Sequence, residues 1–277
     1  MRQLYELVEG TRDVIAEKLM PSYRLEDVYR AITYTFVHVA LQERGVRFEL
    51  LKPLENKIIP PLLVAVKREL VSKVHYIIKQ IGSLLSEHKP VLVHSEAALE
   101  QVVEEVKREV VGVDNVLAYD CMSIIEQLTI SAFLKSRGVK ALFLRTFFLN
   151  PPGLTWFMTS QLPGYERQTL RKVAQYIANK LGAQLYAKSS LVDLSVHESG
   201  LLGIDEFVER VDISRVAAEV LEASKRGRAL IFSDHGYDVV LSKRGNYIYV
   251  VHGFRESGVG DFALLLLSKI SLFMRVG

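Results

Sequence analysis

Cysteine is almost absent from this chain. Cys121 is the single one in 277 residues, so no internal disulfide can form, and a reducing compartment is the expected setting. Long apolar runs are missing as well. The two longest, Ile58 to Val66 and Phe262 to Leu267, fall far short of the ~20 residues that cross a bilayer. Charge of one sign is scarce. A formal net charge of +3 gives no argument for nucleic acid or for an anionic membrane surface. The start, MRQLYELVEGTRD, is amphipathic and carries acids, which argues against a secretory signal. These absences lead to the expectation of a soluble, cytoplasmic protein with no membrane partner.

What remains has the composition of a globular chain, with length enough for one large domain or two modest ones. Residues 1–112 read as helix after helix. Leu4, Leu7, Val8, Val14, Ile15 and Leu19 recur at helical spacing. Pro21 and Ser22 end that run, and Leu25, Val28, Ile32, Phe36 and Val39 begin another that closes near Gly45. Pro53, Pro60 and Pro61 mark a loop, after which a long helix is expected from about Leu62 towards Ser86. Pro90 to His94 is either a short strand or a connector, and Ser95 caps a charged helix reaching Val110. Four histidines fall here, His38, His75, His88 and His94, none beside another at metal-ligand spacing. They are expected at the surface or the edge of the core.

From Val113 the pattern changes to alternating strands and helices, that of an α/β domain with a mostly parallel sheet covered on both faces. The division expected is therefore 1–112, a helical module, and 113–277, an α/β domain. Strands are expected over Val116 to Tyr119, Lys140 to Leu149, Gln184 to Leu191 and Ala229 to Phe232. Helices are expected over Ser123 to Ser136, through Trp156 to Ser160 (before Pro163 and Gly164), over Gln168 to Leu181 and over Asp205 to Ser224, the last with a break near Asp212. Val239 to Leu241 and Tyr247 to Val251 flank Gly245-Asn246 as a hairpin, and Asp261 to Met274 is expected as a final helix.

The ends of these elements carry the chemistry. Asp120, Asn150, Asp193 with His197, Asp234 with His235, and His252 each fall at or just beyond the end of a strand. In open α/β sheets, ligands bind beyond the carboxyl ends of strands. Three aspartates and three histidines are oxygen and nitrogen donors suited to a pair of divalent ions about 4 Å apart.

In that order, with D-x-x-x-H, then D-H-G, then a lone histidine, residues 113–277 resemble the alkaline phosphatase superfamily. The nearest branches are the PglZ domains and the type I phosphodiesterase/nucleotide pyrophosphatases, with cofactor-independent phosphoglycerate mutase as a cousin. The resemblance implies an alkaline-phosphatase-like α/β fold and two divalent ions, zinc first and manganese second. One ion would be held by Asp193, His197 and His252, the other by Asp120, Asp234 and His235. It also implies hydrolysis of a phosphomonoester or phosphodiester, in a small molecule or a nucleotide.

The chain departs from that family at the nucleophile. Phosphodiesterase relatives carry a pattern like T-P-P-x-x-T-x-x-x-T-G-x-x-P-G. Here Asn150-Pro151-Pro152-Gly153-Leu154-Thr155 keeps the frame but has an amide where the hydroxyl should be. An amide cannot form the covalent phospho-enzyme. Thr155 is the favoured substitute hydroxyl, and direct attack by hydroxide is the expected route if the protein is active. Sulfatases fit less well, because Leu154 stands where their signature needs arginine. The rival expectation is a metal-bearing protein that binds a phosphorylated ligand, nucleotide or protein partner without turnover.

Overall fold

A computed structural model describes residues 2–46, 64–87, 96–110, 112–150, 152–160, 169–197, 202–245, 247–254 and 260–277. Pro53, Pro60, Pro61, His88, Pro90 to His94, Ser95, Pro163, Gly164 and Asn246 lie outside them. Four helices come first: α1 (Arg2–Lys18), α2 (Leu25–Glu43), α3 (Val64–Glu87) and α4 (Glu96–Glu109). An α/β succession follows: β1 (Asn115–Tyr119), α5 (Ile124–Ser136), β2 (Ala141–Leu149), α6 (Thr155–Thr159), α7 (Leu170–Leu181), β3 (Gln184–Ser189) and α8 (Leu191–His197). It continues through β4 (Leu202–Gly203), α9 (Ile204–Arg210), α10 (Ile213–Lys225) and β5 (Ala229–Ser233). The hairpin β6 (Asp238–Leu241) and β7 (Ile248–Val251) comes next, then β8 (Phe262–Leu266) and β9 (Ile270–Val276).

The main sheet has the order β2-β9-β5-β1-β3. β1 pairs in parallel with β3 and with β5, whereas β9 is antiparallel to both β5 and β2. The sheet is therefore mixed rather than simply parallel. Two antiparallel steps restore direction, so β2 runs with β1, β3 and β5, and β9 alone opposes them. The smaller sheet, β4-β7-β6-β8, is antiparallel in every pairing. Its hairpin falls where the pattern put it, with Gly245 at φ +67° in the turn.

Alternate residues of the strands feed two cores, as the period of two requires. Leu117, Tyr119, Ile231 and Met274 face a cluster shared with α1, α2, α3, α5 and α10. Val116, Ala118, Leu230, Phe232 and Phe273 face the opposite one, with α4 and α7. The described helices of the N-terminal part thus cover both faces: α1 lies against α5 and β2, while α4 lies against β2 and α7 on the other side. The sequence pattern changes at 113, but the packing is continuous across it.

α5 explains why those helices are there. It is buried nearly all round, with Ile124 through Ala132 all enclosed, the polar Glu126, Gln127, Thr129 and Ser131 included, so it is covered on every side. Its start is set by a capping box: Ser123 Oγ accepts from Ile125 N (3.1 Å), and Glu126 Oε2 accepts from Ser123 N (2.8 Å). The break near Asp212 is likewise real, since the Asp212 side chain accepts from Arg215 N (3.0 Å) and opens α10.

Two further expectations fail. The final helix, Asp261 to Met274, is instead β8, a 3₁₀ turn at Leu267–Lys269, and β9. A leucine-rich run favours a helix locally, but β9 lies between β5 and β2 with its neighbours buried on both faces. Such a strand has no alternation to betray it. His38 is also not at an edge. It lies within the buried stretch of α2 and is 3% exposed.

Candidate metal centre

The topology delivers the polar residues to one edge. Asp120 follows β1, Asp234 and His235 follow β5, and Asn150 follows β2, all at carboxyl ends that point the same way. β3 ends there too and leads into α8, which carries Asp193 and His197 four residues apart on one helical face. The pattern implied a strand-end loop; the structure makes it a helix, which is why the D-x-x-x-H spacing brings both side chains together. His252 arrives from the second sheet, just beyond β7. Buried Asp238 pins that segment, accepting from Ser268 N (3.0 Å), Ser268 Oγ (2.6 Å) and Phe254 N (3.0 Å).

Asp120, Asp234 and His235 form one group, each offering a ligand atom within 4.8 Å of the others. His235 Nε2 lies 3.5 Å from Asp234 Oδ2 and 3.7 Å from Asp120 Oδ1. Its Nδ1 is 2.9 Å from the Gly236 carbonyl, which only accepts, so Nδ1 carries the proton and Nε2 faces the carboxylates. That tautomer is the one metal-ligating histidines adopt. Burial, reinforced by Asp120, pushes the fully buried Asp234 carboxyl up to about 6 against the pull of His235. Burial disfavours a charged His235, but Asp234, the Gly236 carbonyl, Asp120 and Asp193 outweigh it and hold the imidazole above its ordinary value.

Asp193, His197 and His252 form the second group. His197 Nε2 is 3.2 Å from Asp193 Oδ1 and 2.6 Å from His252 Nε2, and His252 Nε2 is 4.0 Å from Asp193 Oδ1. Burial, then His235 and His197, depress His252 to about 4, so at neutral pH one of its ring nitrogens presents a lone pair. Burial and Asp120 raise Asp193. The two groups adjoin, with the His235 and His252 rings stacked at 5.2 Å.

Two of the residues given catalytic parts behave differently. The Asn150 side chain is committed to backbone: Nδ2 donates to Leu154 O (3.1 Å) and Asp234 O (3.2 Å), while Oδ1 accepts from Gly153 N (3.0 Å) and Leu154 N (3.3 Å). It shapes the turn into α6 and ties that turn to the Asp234 loop. Thr155, at the first position of α6, is the hydroxyl that reaches the first group. Its Oγ1 is 3.4 Å from Asp120 Oδ1 and 3.3 Å from His235 Nε2. Thr159 is buried and donates to Trp156 O (2.9 Å) instead.

Sequence reasoning missed Lys188. Its Nζ donates to Asp120 Oδ2 (3.0 Å) and to the Ser190 hydroxyl. Its one signal in the sequence was its place near the end of β3, where Lys-Ser-Ser reads as an ordinary polar strand end. The glycine of D-H-G has a steric cause. A Cβ on Gly236 would sit 2.7 Å from Leu267 O and 2.9 Å from Ser123 Cβ, so the loop approaches two other segments too closely for a side chain.

Three carboxylates and three imidazoles in two adjoining groups, with Asp193 and Asp234 raised by burial and by the nearby Asp120, form a donor set that fits divalent cations. The class of protein that emerges is an α/β chain with residue groups able to hold a metal at the carboxyl edge of its sheet. No family model matches the chain, and no curated protein matches it.

Proposed function

We propose that the chain is a divalent-metal-dependent phosphoester hydrolase of alkaline-phosphatase-like type, acting on a phosphomonoester or phosphodiester of a small molecule or nucleotide. The observation that carries the proposal is the convergence of Asp120, Asp193, His197, Asp234, His235 and His252 from four separate segments into two adjoining groups, the first of them touched by the Thr155 hydroxyl. Asp120, Asp234 and His235 would hold one ion and Asp193, His197 and His252 a second, with zinc ahead of manganese because three imidazoles favour it. Such ions supply charge stabilisation to phosphoryl oxygens.

The residues supply the rest. Thr155 Oγ1 is the attacking oxygen; its proton leaves towards Asp120 Oδ1, the bond to phosphorus forms, the bond to the leaving oxygen breaks, and that oxygen takes the proton back from Asp120. Water then attacks the phosphothreonine, restoring the Thr155 hydroxyl and releasing phosphate from a monoester substrate or a phosphomonoester from a diester. The Lys188 ammonium balances Asp120 through its other oxygen. Asn150 positions: its four hydrogen bonds fix the turn that presents Thr155.

The test is metal-supplemented hydrolysis of an activated aryl phosphodiester and phosphomonoester by the parent, Thr155→Ala and Thr155→Ser. Activity in the parent, lost by at least the ~10²-fold of a missing catalytic group and kept in part by serine, supports the assignment. Activity untouched in Thr155→Ala assigns the attack to hydroxide. The second reading, a binding protein without turnover, draws on Asn150 standing in the family's nucleophile frame. It predicts ions bound and no hydrolysis by any variant.

A further inference from the structure

We infer that Cys121 is itself a metal ligand, completing the site of Asp193 and His252 from the interior. This rests on the reading that the edge holds divalent ions, and it adds a donor the family resemblance does not contain.

Cys121 Sγ, a carboxylate oxygen of Asp193 and a ring nitrogen of His252 lie within 4.8 Å of one another. A buried cysteine commonly serves as a small apolar filler. Cys121 is fully buried, but its surroundings at this edge are polar: Sγ is 3.4 Å from His235 Nδ1 and 3.6 Å from the Gly236 carbonyl. The backbone at this turn is also unusual. Cys121 has φ +63°, and it is the sole non-glycine residue with positive φ among the described residues. A left-handed residue with a side chain is disfavoured, and such outliers gather at functional sites. Glycine would relieve the strain but remove the sulfur. The turn that keeps Asp120 in the first group is thus the same turn that swings Sγ towards the second.

His197 then takes the outer side of that group. Its side chain is 57% exposed, against 20% for Asp193, so the inner and outer faces have different donors. On binding, the thiol proton is released and a sulfur–metal bond forms. A thiolate is soft, and it favours zinc over manganese, magnesium or calcium.

Cobalt(II) substitution in thiol-free buffer tests this directly, because the chain has no other cysteine to give a sulfur signal. The wild-type protein should develop an intense near-ultraviolet thiolate-to-cobalt charge-transfer band. Cys121→Ser should lose that band while metal analysis still finds cobalt. Zinc affinity in that variant should drop by at least the roughly 10–100-fold that losing even an outer-shell partner costs, with manganese affinity changed much less. Cobalt retained by the folded wild type with visible ligand-field bands and no near-ultraviolet band overturns the assignment of Cys121 and leaves the metal reading standing. No cobalt, zinc or manganese retained overturns both. The wild-type spectrum decides even if the serine variant fails to fold.

Discussion

Glu126 offers the sharpest test of how the N-terminal helices are joined to the site. Its side chain is fully buried and accepts four hydrogen bonds. Tyr29 OH (2.6 Å) and Tyr237 OH (2.8 Å) donate to Oε1, and Ser123 N (2.8 Å) and Ser123 Oγ (2.6 Å) to Oε2. Tyr29 comes from α2, whereas Tyr237 lies two residues beyond His235. Glu126→Leu strands the Ser123 amide and one phenol hydroxyl, since Tyr29 and Tyr237 can bond each other, while Ser123 Oγ keeps its bond from Ile125 N. At about 1–3 kcal/mol for each of two stranded groups, the loss is roughly 2–6 kcal/mol. Removing a buried carboxylate recovers part of this, leaving about 3 kcal/mol. For a chain of this size that is a fall in melting temperature of ~6–12 °C. Tyr29→Phe leaves the carboxylate three donors and should cost about 1–2 kcal/mol. Urea unfolding followed by circular dichroism measures both. The Tyr29→Phe and Tyr237→Phe losses should also be non-additive, since they share one oxygen. A Glu126→Leu protein within roughly 0.5 kcal/mol of the parent, the spread of neutral surface changes, would refute the buried cluster.

The same residue gives a pH prediction. Burial raises the Glu126 carboxyl above its ordinary value of 4.5, against the hydrogen bonds of Ser123, Tyr29 and Tyr237. The folded state therefore holds the proton more tightly than the unfolded chain. Its contribution is fully present below 4.5 and is lost as pH rises through the raised value. Stability of the parent relative to Glu126→Gln should accordingly decline across that window; a rise would show that the hydrogen bonds outweigh burial. Gly236→Ala should destabilise by about 1–3 kcal/mol, because its Cβ meets the Leu267 carbonyl and Ser123, and should weaken metal binding by moving His235. Normal melting and normal metal affinity would rule out that contact. Asp238→Asn turns one acceptor into a donor facing an amide of Ser268 or Phe254, for a loss of about 1–3 kcal/mol and looser tethering of His252, measured by the same unfolding curves and by zinc titration. Zinc at a hundredfold excess over its dissociation constant should add about 2.7 kcal/mol of stability, reversed by a chelator; no shift in melting up to millimolar zinc would contradict a built site.

The sequence by itself determined the parts whose signals are local. The apolar run Ala229 to Phe232 marked β5, the stretch opening at Ser123 marked α5, and Gly245 marked the hairpin, because capping, turn geometry and burial each leave a short-range imprint. Asp120, Asp234, His235 and His252 stood out for a related reason, since an acid or imidazole just beyond an apolar strand interrupts its pattern visibly, whereas Asp193 and His197 stood out by their D-x-x-x-H spacing and lie within α8. No membrane-crossing helix was expected, and none of the described helices is long and apolar enough to be one. Tertiary structure alone decided the rest. Ile270 to Val276 could pack as helix or strand on local grounds, and only insertion between β2 and β5 made it β9. Asn150 matched a nucleophile frame in sequence, but its contacts with Leu154 and Asp234, the second 84 residues away, made it a brace and left Thr155 facing the donors. Lys188 and Cys121 have no one-dimensional signature, and Glu126 shows in the sequence only as the last residue of a capping box; their further partners are brought within hydrogen-bond reach by folding alone.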